Sequence, residues 1–169
     1  MTPKLRVFLW TAVPLAALDV ATKELAMRAL RPFVPHPVLG DWFRLTLAYN
    51  RQGAMGLTFG SLSRALFVLL ALAALGVLGV MLKRTAPADR LRAAALGLLV
   101  AGAAGNLWGR LRWSQGVVDF IDVGLGRYRF WTFNVADAAL TVGVLALVIL
   151  LWREDAARAR GGGASGAGP

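Results

Sequence analysis

Four long apolar stretches dominate this chain, and they constrain its fold more than any other feature. They cover residues 7–22, 65–82, 93–109 and 130–152. A membrane-spanning helix needs roughly 20 mostly apolar residues, with a range of about 17 to 25. The second and fourth stretches reach that length, the third is marginal, and the first reaches it only if Asp19 lies within the span. Because hydrophobic residues make up 57% of the 169 residues, the sequence predicts an all-α integral membrane protein with four transmembrane helices.

The first stretch also fits a second interpretation. Lys4 and Arg6 precede an uncharged run over residues 7–18, a pattern that is typical of a secretory signal peptide. However, no A-x-A-like cleavage site follows that run, and residues 19–23 extend it in helical register. We therefore expect a retained helix.

The net charge of +10 raises the question of a nucleic-acid partner. The arginines lie mostly between apolar segments and accompany no nucleic-acid-binding motif, so we expect membrane lipids as partners and no nucleic acid. The chain has no cysteine, which excludes thiolate chemistry and cysteine-ligated metals. Its only histidine, His36, lies between two prolines in a predicted extended loop and cannot build a multi-histidine metal site.

The segments between the apolar stretches predict a small β-sheet at the membrane surface. Residues 42–49 combine aromatic and β-branched residues with partial alternation, and residues 117–121 and 128–131 supply candidate partner strands. We expect one domain over residues 1–160 and a disordered Gly/Ala-rich tail over residues 161–169.

Four spans place both termini on the same side of the membrane. Residues 1–6, 83–92 and 153–169 hold nine Lys or Arg in 33 positions, whereas residues 23–64 and 110–129 hold ten in 62. Because cytoplasmic loops are richer in Lys and Arg, the densities predict cytoplasmic termini and a sheet on the outer side.

Three aspartates lie in strongly apolar surroundings: Asp19, Asp119 and Asp137. A carboxylate within a spanning helix costs about 2.5–3.5 kcal/mol, so each needs a reason, and a structural ion pair is the simplest one. Asp19 lies about 20 Å along a helix from Arg6, and Asp137 lies about 24 Å from Arg153. If both arginines mark one membrane face, the two aspartates approach the other face, where the loop that carries Asp119 also lies.

Two carboxyl groups at one site can share a proton. Like charges a few ångströms apart cannot both ionise cheaply, so one carboxyl group stays protonated near neutral pH. The ionised group can then take a proton from water while the protonated group polarises a peptide carbonyl. This is the chemistry of aspartic proteases, and it requires neither metal nor cofactor.

Four motifs occur in order along the chain. They are Asp19-Val-Ala-Thr-Lys23, Ala104-Gly-Asn106-Leu-x-x-Arg110, Gly116-Val-Val-Asp119-Phe and Phe133-Asn134-Val-Ala136-Asp137. Together they resemble the motifs of the lipoprotein signal peptidase family, also called signal peptidase II. The resemblance extends from about residue 5 to residue 152, nearly the whole chain.

The resemblance implies a bacterial inner-membrane enzyme with four helices and a β-cradle on the outer side, and we expect the protein to be a monomer. Such enzymes remove signal peptides from prolipoproteins, just before a diacylglyceryl-modified cysteine. By motif position, Asp119 and Asp137 would be the catalytic pair. Residues that order the site or contact the substrate would be Asp19, Lys23, Asn50, Gly53, Asn106, Arg110, Asn134 and Ala136.

Two departures from the family pattern allow for a divergent paralogue. Gly109 stands where the family usually has aspartate, so Arg110 loses an acidic neighbour, and Asp119 and Asp122 are the candidates to replace it. The family's Asn-x-Gly-Ala-Ala-Phe motif is matched only by residues 50–56, where Asn50 is displaced by one residue or Arg51 replaces it. Both changes bear on substrate preference and rate.

Three alternatives to an aspartic peptidase also fit parts of the sequence. Lys23 could activate Ser114 in a serine-lysine peptidase, although Ser114 has no nucleophile motif around it. A carboxylate-bound metal would need more ligands than the aspartate pair offers. A small transporter or assembly protein could instead use the intramembrane aspartates for ion or proton passage.

Overall fold

The computed structural model of the chain describes residues 1–50 and 62–163, with side chains up to residue 159. Its four long helices are α1 (Pro3–Ala29), α2 (Ser63–Arg84), α3 (Arg90–Arg112) and α4 (Val135–Gly163). All four are long and apolar enough to cross a membrane, which confirms the predicted transmembrane helices. The predicted tail overlaps the end of α4 by three residues and otherwise lies outside the described residues, so its disorder stays a prediction.

The first helix is longer than its apolar stretch at both ends. It begins at Pro3, a residue that is favourable in the first turn because it has no amide hydrogen to leave unsatisfied. Beyond residue 22 it continues to Ala29, and Asp19, Lys23 and Ala26 are buried along it. Their spacing of four and three residues puts them on one stripe that faces the protein. The polar end of α1 is therefore helical because it packs inside the bundle.

Helix α3 lies at the centre of the bundle, in contact with α1, α2 and α4. Half of its apolar window is buried within the protein, compared with none of the window of α2, so α2 presents most of its surface to lipid. Gly102 allows the close approach of α4, because a Cβ atom there would lie 2.4 Å from the carbonyl oxygen of Ala136. The small residues of α3 thus bring three helices close together.

A four-stranded antiparallel sheet caps one end of the bundle in the order β1-β2-β3-β4. The strands are β1 (His36–Leu39), β2 (Phe43–Asn50), β3 (Val117–Leu125) and β4 (Tyr128–Arg129). Three of them match the predicted strands. The fourth, β1, was not predicted, and the structure corrects the expectation of an extended loop around His36.

The sheet is irregular next to Asp119. Leu45 pairs with Ile121 and Ala48 pairs with Asp119, so β2 holds one more residue than β3 between these pairs. Such bulges redirect side chains locally. Phe133 then pairs with Ile121 through both of its backbone groups, and this bridge fixes the start of α4 against β3.

The opposite end of the bundle holds the start of α1, the α2–α3 loop and the C-terminal part of α4. The backbone N–H of Lys4 donates to the carbonyl oxygen of Pro87 at 3.1 Å. Its ammonium group donates to carbonyl oxygens at the end of α2, at 3.0 Å for Leu82. Arg92 at the start of α3 forms an ion pair with Glu154 of α4. The sheet thus lies at one end of the bundle, and the start of α1 and the C-terminal part of α4 lie at the other.

Candidate active site

Asp119 of β3 and Asp137 of α4 line the same cavity, which has a volume of about 330 Å³. Asp119 is buried and Asp137 is half-buried. The remaining walls come from the end of β2, the end of α3, the segment that leads into α4, and further residues of β3 and α4. The lining residues are Asn50, Arg110, Val117, Phe130, Trp131, Thr132, Phe133, Leu140 and Thr141. The structure therefore brings together the two aspartates that the motifs suggested.

Asp137 owes its position to the first turn of α4. Its backbone N–H donates to Oδ1 of Asn134 at 2.9 Å, and the backbone N–H of Asn134 donates to Oδ2 of Asp137 at 3.2 Å. This is a reciprocal capping box, in which the residue before the helix and its third residue satisfy each other's amides. The side chain also lies at the N-terminus of α4, where the backbone amides form the positive end of the helix dipole.

Asp19 and Lys23 form a fully buried ion pair one helical turn apart on α1. The Lys23 Nζ to Asp19 Oδ2 distance is 2.7 Å, and the side chains are 0% and 1% exposed. The other oxygen of Asp19 accepts a hydrogen bond from the backbone N–H of Ala136 at 2.8 Å. Ala136 thus contributes through its amide, and Asp19 ties α1 to the first turn of α4.

Two asparagines connect this ion pair to the two aspartates. Lys23 donates to Oδ1 of Asn106 at 3.1 Å, and Nδ2 of Asn106 donates to Oδ1 of Asp137 at 2.7 Å. Nδ2 of Asn134 donates to Oδ1 of Asp119 at 2.6 Å and also contacts Oδ1 of Asn106 at 3.2 Å. Each carboxylate is therefore oriented by an amide that is itself held in place.

Asp119 lies in an environment that favours its protonated form. Burial is the largest cause, and the nearby charge of Asp137 adds to it; together they raise the pKa of Asp119 to about 7. The opposing influences are the Asn134 hydrogen bond, the charge of Lys23 and a hydrogen bond with Asn50. Asp119 can thus hold a proton close to neutral pH while it remains hydrogen-bonded.

Arg110 lines the cavity without forming an ion pair with either expected partner. Its guanidinium lies 5.3 Å from the centre of the Phe67 ring, and NH1 donates to the carbonyl oxygen of Asn106 at 3.2 Å. Asp119 and Asp137 both influence it electrostatically, whereas Asp122 binds other arginines. Within residues 1–50 and 62–159, no acidic side chain replaces the neighbour that Gly109 removes.

The described part of the chain gives no support to the serine-lysine or metal alternatives. Lys23 is fully buried and contacts Asp19, Gly105 and Asn106, whereas Ser114 is exposed in the turn before β3. The described residues also contain no group of three or more His, Cys, Asp or Glu side chains that could hold a metal ion.

Of the predicted supporting residues, Gly53 lies outside the described residues.

Asp122 is the centre of an ion-pair network on the sheet that was not predicted from the sequence. Asp122 is buried and accepts from Nε of Arg129 at 2.6 Å, from Oγ1 of Thr46 at 2.8 Å and from Nε of Arg44 at 3.3 Å. Burial alone would raise the pKa of Asp122, but the Thr46 and Arg129 hydrogen bonds and the two arginine charges hold it below its usual value. Arg129 directly precedes the cavity wall at residues 130–133. In the sequence, only the position of Arg129 next to the aromatic segment pointed to a role near the site.

A four-helix membrane fold with two aspartates on one cavity is the arrangement expected of a membrane-embedded hydrolase of the aspartic type. The Signal peptidase (SPase) II family matches residues 11–153. The chain is 37% identical over 160 residues to the lipoprotein signal peptidase of Geobacter sulfurreducens, which covers 94% of this chain and 99% of that one. It is 38% identical over 150 residues to the Pseudomonas putida lipoprotein signal peptidase, with 87% of each chain covered. This chain therefore belongs to the signal peptidase II family.

A solved structure supports the same assignment. A bacterial membrane enzyme determined by the in meso method at 2.3 Å resolution superposes with a TM-score of 0.80 and 28% identity, over 88% of each chain. The family resemblance, the four-helix membrane fold and the aspartic-type hydrolase class predicted from the motifs are all confirmed. The chain is a multi-pass protein of the bacterial membrane.

Proposed function

We propose that Asp119 and Asp137 are the catalytic pair with which this enzyme removes signal peptides from diacylglyceryl-modified prolipoproteins. The observation that carries the proposal is their convergence on one cavity, one as a buried acid with a raised pKa and the other at a helix N-terminus. The asymmetry assigns each group a role. Asp119 keeps the proton, and Asp137 carries the negative charge.

In the proposed reaction, a water molecule between the two groups gives a proton to Asp137 and attacks the scissile carbonyl carbon. Asp119 donates its proton to the carbonyl oxygen, which becomes a hydroxyl group of the tetrahedral intermediate. When the C–N bond breaks, the nitrogen takes the proton from Asp137, and a hydroxyl proton returns to Asp119. The products are the signal peptide with a new carboxyl terminus and a lipoprotein with a free amino terminus.

The supporting residues act through this pair. Asn134 and Asn50 hold Asp119, Asn106 holds Asp137, and the Asp19–Lys23 ion pair fixes α1 and α3 around them. Arg110 has donors free of acidic partners among the described residues, so it is available to a carbonyl of the substrate. The exposed Phe130 and Trp131 offer an apolar rim to the lipid-modified part of the substrate.

A cleavage assay with matched variants tests the proposal. Purified protein is incubated with a lipid-modified prolipoprotein, and release of the signal peptide is measured for the parent, D119N, D137N and D155N. Asp155 is exposed at the far end of α4 and pairs only with Arg158 among the described residues, so D155N makes the same chemical change away from the cavity. We expect D119N and D137N to lose at least about 10²-fold in rate while D155N keeps the parent rate. Cleavage by either active-site variant at the parent rate would overturn the assignment.

We also propose that both termini lie in the cytoplasm and that the sheet lies on the outer side, as the Lys and Arg densities predict. Since the chain has no cysteine, S114C and D155C each introduce a single thiol at opposite ends of the bundle. A membrane-impermeant maleimide should label S114C and not D155C in cells with a permeabilised outer membrane. The reverse pattern would contradict this orientation.

The monomeric state is a further part of the proposal. Every carboxylate and amide in the described site comes from one chain, so no second copy is needed to complete it. We expect lipids rather than nucleic acid around the chain, because most of the basic side chains without an acidic partner among the described residues lie at or next to helix ends. The mass of the protein in a detergent complex, measured by light scattering, should correspond to one chain, and a stable dimer would contradict this.

A further inference from the structure

The end of the bundle opposite the catalytic cavity carries a second, smaller cavity with a basic lining. It has a volume of about 180 Å³ and lies between the first turns of α1 and α3, lined by Pro3, Arg6, Val7 and Arg90. Two arginines from two different helices therefore face one pocket. Nothing in the peptide-cleavage chemistry uses them, since the carboxylate pair lies at the sheet end of the same helices.

Two other basic side chains next to this pocket, Lys4 and Arg92, already have partners. Lys4 donates to the carbonyl oxygens that end α2, including that of Leu82. Arg92 pairs with Glu154 and with Asp89, which neutralises the acidic group nearest to Arg90 in sequence. By contrast, Arg6 and Arg90 are exposed and have no hydrogen-bond or ion-pair partner for their side chains among residues 1–50 and 62–159. The described lining of the pocket thus contains two cationic groups and no acidic group to compensate their charge.

The surroundings of the pocket point to a lipid rather than to a dissolved anion. Arg6 is followed one helical turn later by Trp10, which is 75% exposed, and Arg90 is followed directly by Leu91, which is 67% exposed. Both residues lie where the apolar part of the helix begins, and tryptophan favours the boundary between headgroups and acyl chains. A phospholipid with its phosphate at the arginines would therefore lay its acyl chains along these apolar side chains.

We propose that Arg6 and Arg90 form a binding site for the phosphate group of an anionic membrane phospholipid. Two guanidinium groups can each donate two hydrogen bonds to phosphate oxygens, which is the geometry that arginine suits best. Basic pockets between membrane helices are recurrent sites for anionic headgroups. The bound lipid would join the start of α1 to the start of α3, two helices that also carry the Asp19–Lys23–Asn106 contacts.

Binding is tested in an uncharged detergent, where no anionic surface attracts the lipid. Phosphatidylglycerol is titrated into the purified protein, and the lipid bound per chain is counted by native mass spectrometry, with phosphatidylcholine and inorganic phosphate as comparison ligands. The parent is compared with R6Q/R90Q and with K83Q/R84Q. Lys83 and Arg84 are exposed at the same end of the bundle but do not line the pocket, so this control removes the same charge.

We expect the parent to retain one phosphatidylglycerol in preference to phosphatidylcholine. R6Q/R90Q should bind it about thirtyfold more weakly, and K83Q/R84Q should bind it within about twofold of the parent. Glutamine is a good helix former, and both arginines are exposed, so the thermal midpoint of R6Q/R90Q without lipid should equal that of the parent. Equal weakening in both double variants, or no preference for phosphatidylglycerol in the parent, would overturn the proposal. Inorganic phosphate that binds as tightly as the lipid would overturn it as well.

Discussion

Replacing Gly105 with alanine should disrupt the buried ion pair that holds the site together. Gly105 lies on α3, where it faces the Asp19 carboxylate. A Cβ atom at this position would lie 2.4 Å from Oδ2 and 3.0 Å from Cγ of Asp19, and 3.2 Å from the Cβ atom of Ala136. Since carbon and oxygen atoms need about 3.4 Å or more, the carboxylate would have to retreat by about 1 Å.

The retreat would lengthen contacts that are already at hydrogen-bond distance. Asp19 lies 2.7 Å from Nζ of Lys23 and 2.8 Å from the backbone nitrogen of Ala136, so an added ångström takes either contact out of range. Removing a partner from a buried ion pair costs about 3–5 kcal/mol, and overpacking alone costs about 1–3 kcal/mol. Because part of each contact survives, we expect G105A to lower the free energy of unfolding by about 3 kcal/mol.

Gly76 supplies the matched control. It lies within α2, and a Cβ atom there would meet nothing within 4 Å. G76A should change the free energy of unfolding by less than about 1 kcal/mol, if anything upwards, because alanine favours a helix more than glycine does. Unfolding in mixed micelles with a denaturing detergent, followed by tryptophan fluorescence, measures both variants.

G105A should also lose cleavage activity, because Asp19 holds the amide of Ala136 one residue before Asp137. If G105A were as stable as G76A and as active as the parent, the Asp19–Lys23 pair would not be the fixed element that the described contacts indicate.

Two further predictions concern the site. The cleavage rate should fall as the pH rises through about 7, because Asp119, with its raised pKa, then loses the proton that it must donate; a rate that still increases at high pH would contradict this role. D122N should raise the KM severalfold with a smaller change in kcat, since the Asp122–Arg129 pair anchors the strand that leads into the cavity wall at residues 130–133. The D155N variant is the control for the kinetic measurement, and a loss confined to kcat would show that Asp122 acts on the chemistry instead. Because the pKa of Asp122 is lowered, this anchor should be intact at neutral pH and lost only as the pH falls below the usual range of a carboxyl group.

Much of the fold follows from patterns that are local in sequence. Apolar length predicts α2 and α4, although Asp137 interrupts the second of these stretches, and mixed aromatic and β-branched residues predict β2 and β3. Strand β1 was not predicted because Pro37 argues against a strand. However, a proline is tolerated at the edge of a sheet, where β1 lies. The fourth apolar stretch begins at residue 130, whereas α4 begins at Val135. The spacing of Asn134 and Asp137, which is that of a capping box, marks the true start of the helix.

The residues of the site could be predicted from the sequence, but the contacts between them could not. The spacing of Asp19 and Lys23 permits an ion pair within one helix. That Lys23 also contacts Asn106, and that Asp19 caps Ala136, depends on how closely α1, α3 and α4 approach one another. Such contacts join residues up to 117 positions apart, and no local pattern encodes them. Asp122 and Arg129 are only seven residues apart, but their pairing depends on how β3 turns back into β4, so it could be identified only from the sheet.

The most direct test of the account is a measurement of the proton on Asp119. Infrared difference spectra of the purified protein over a pH series report the carbonyl stretch of protonated carboxyl groups. We expect a band that persists to about pH 7 in the parent, disappears in D119N and titrates at lower pH in D137N, where the repelling charge is gone. A parent spectrum without any protonated carboxyl group at pH 6, or a band unchanged in D119N, would contradict the shared proton on which the mechanism depends.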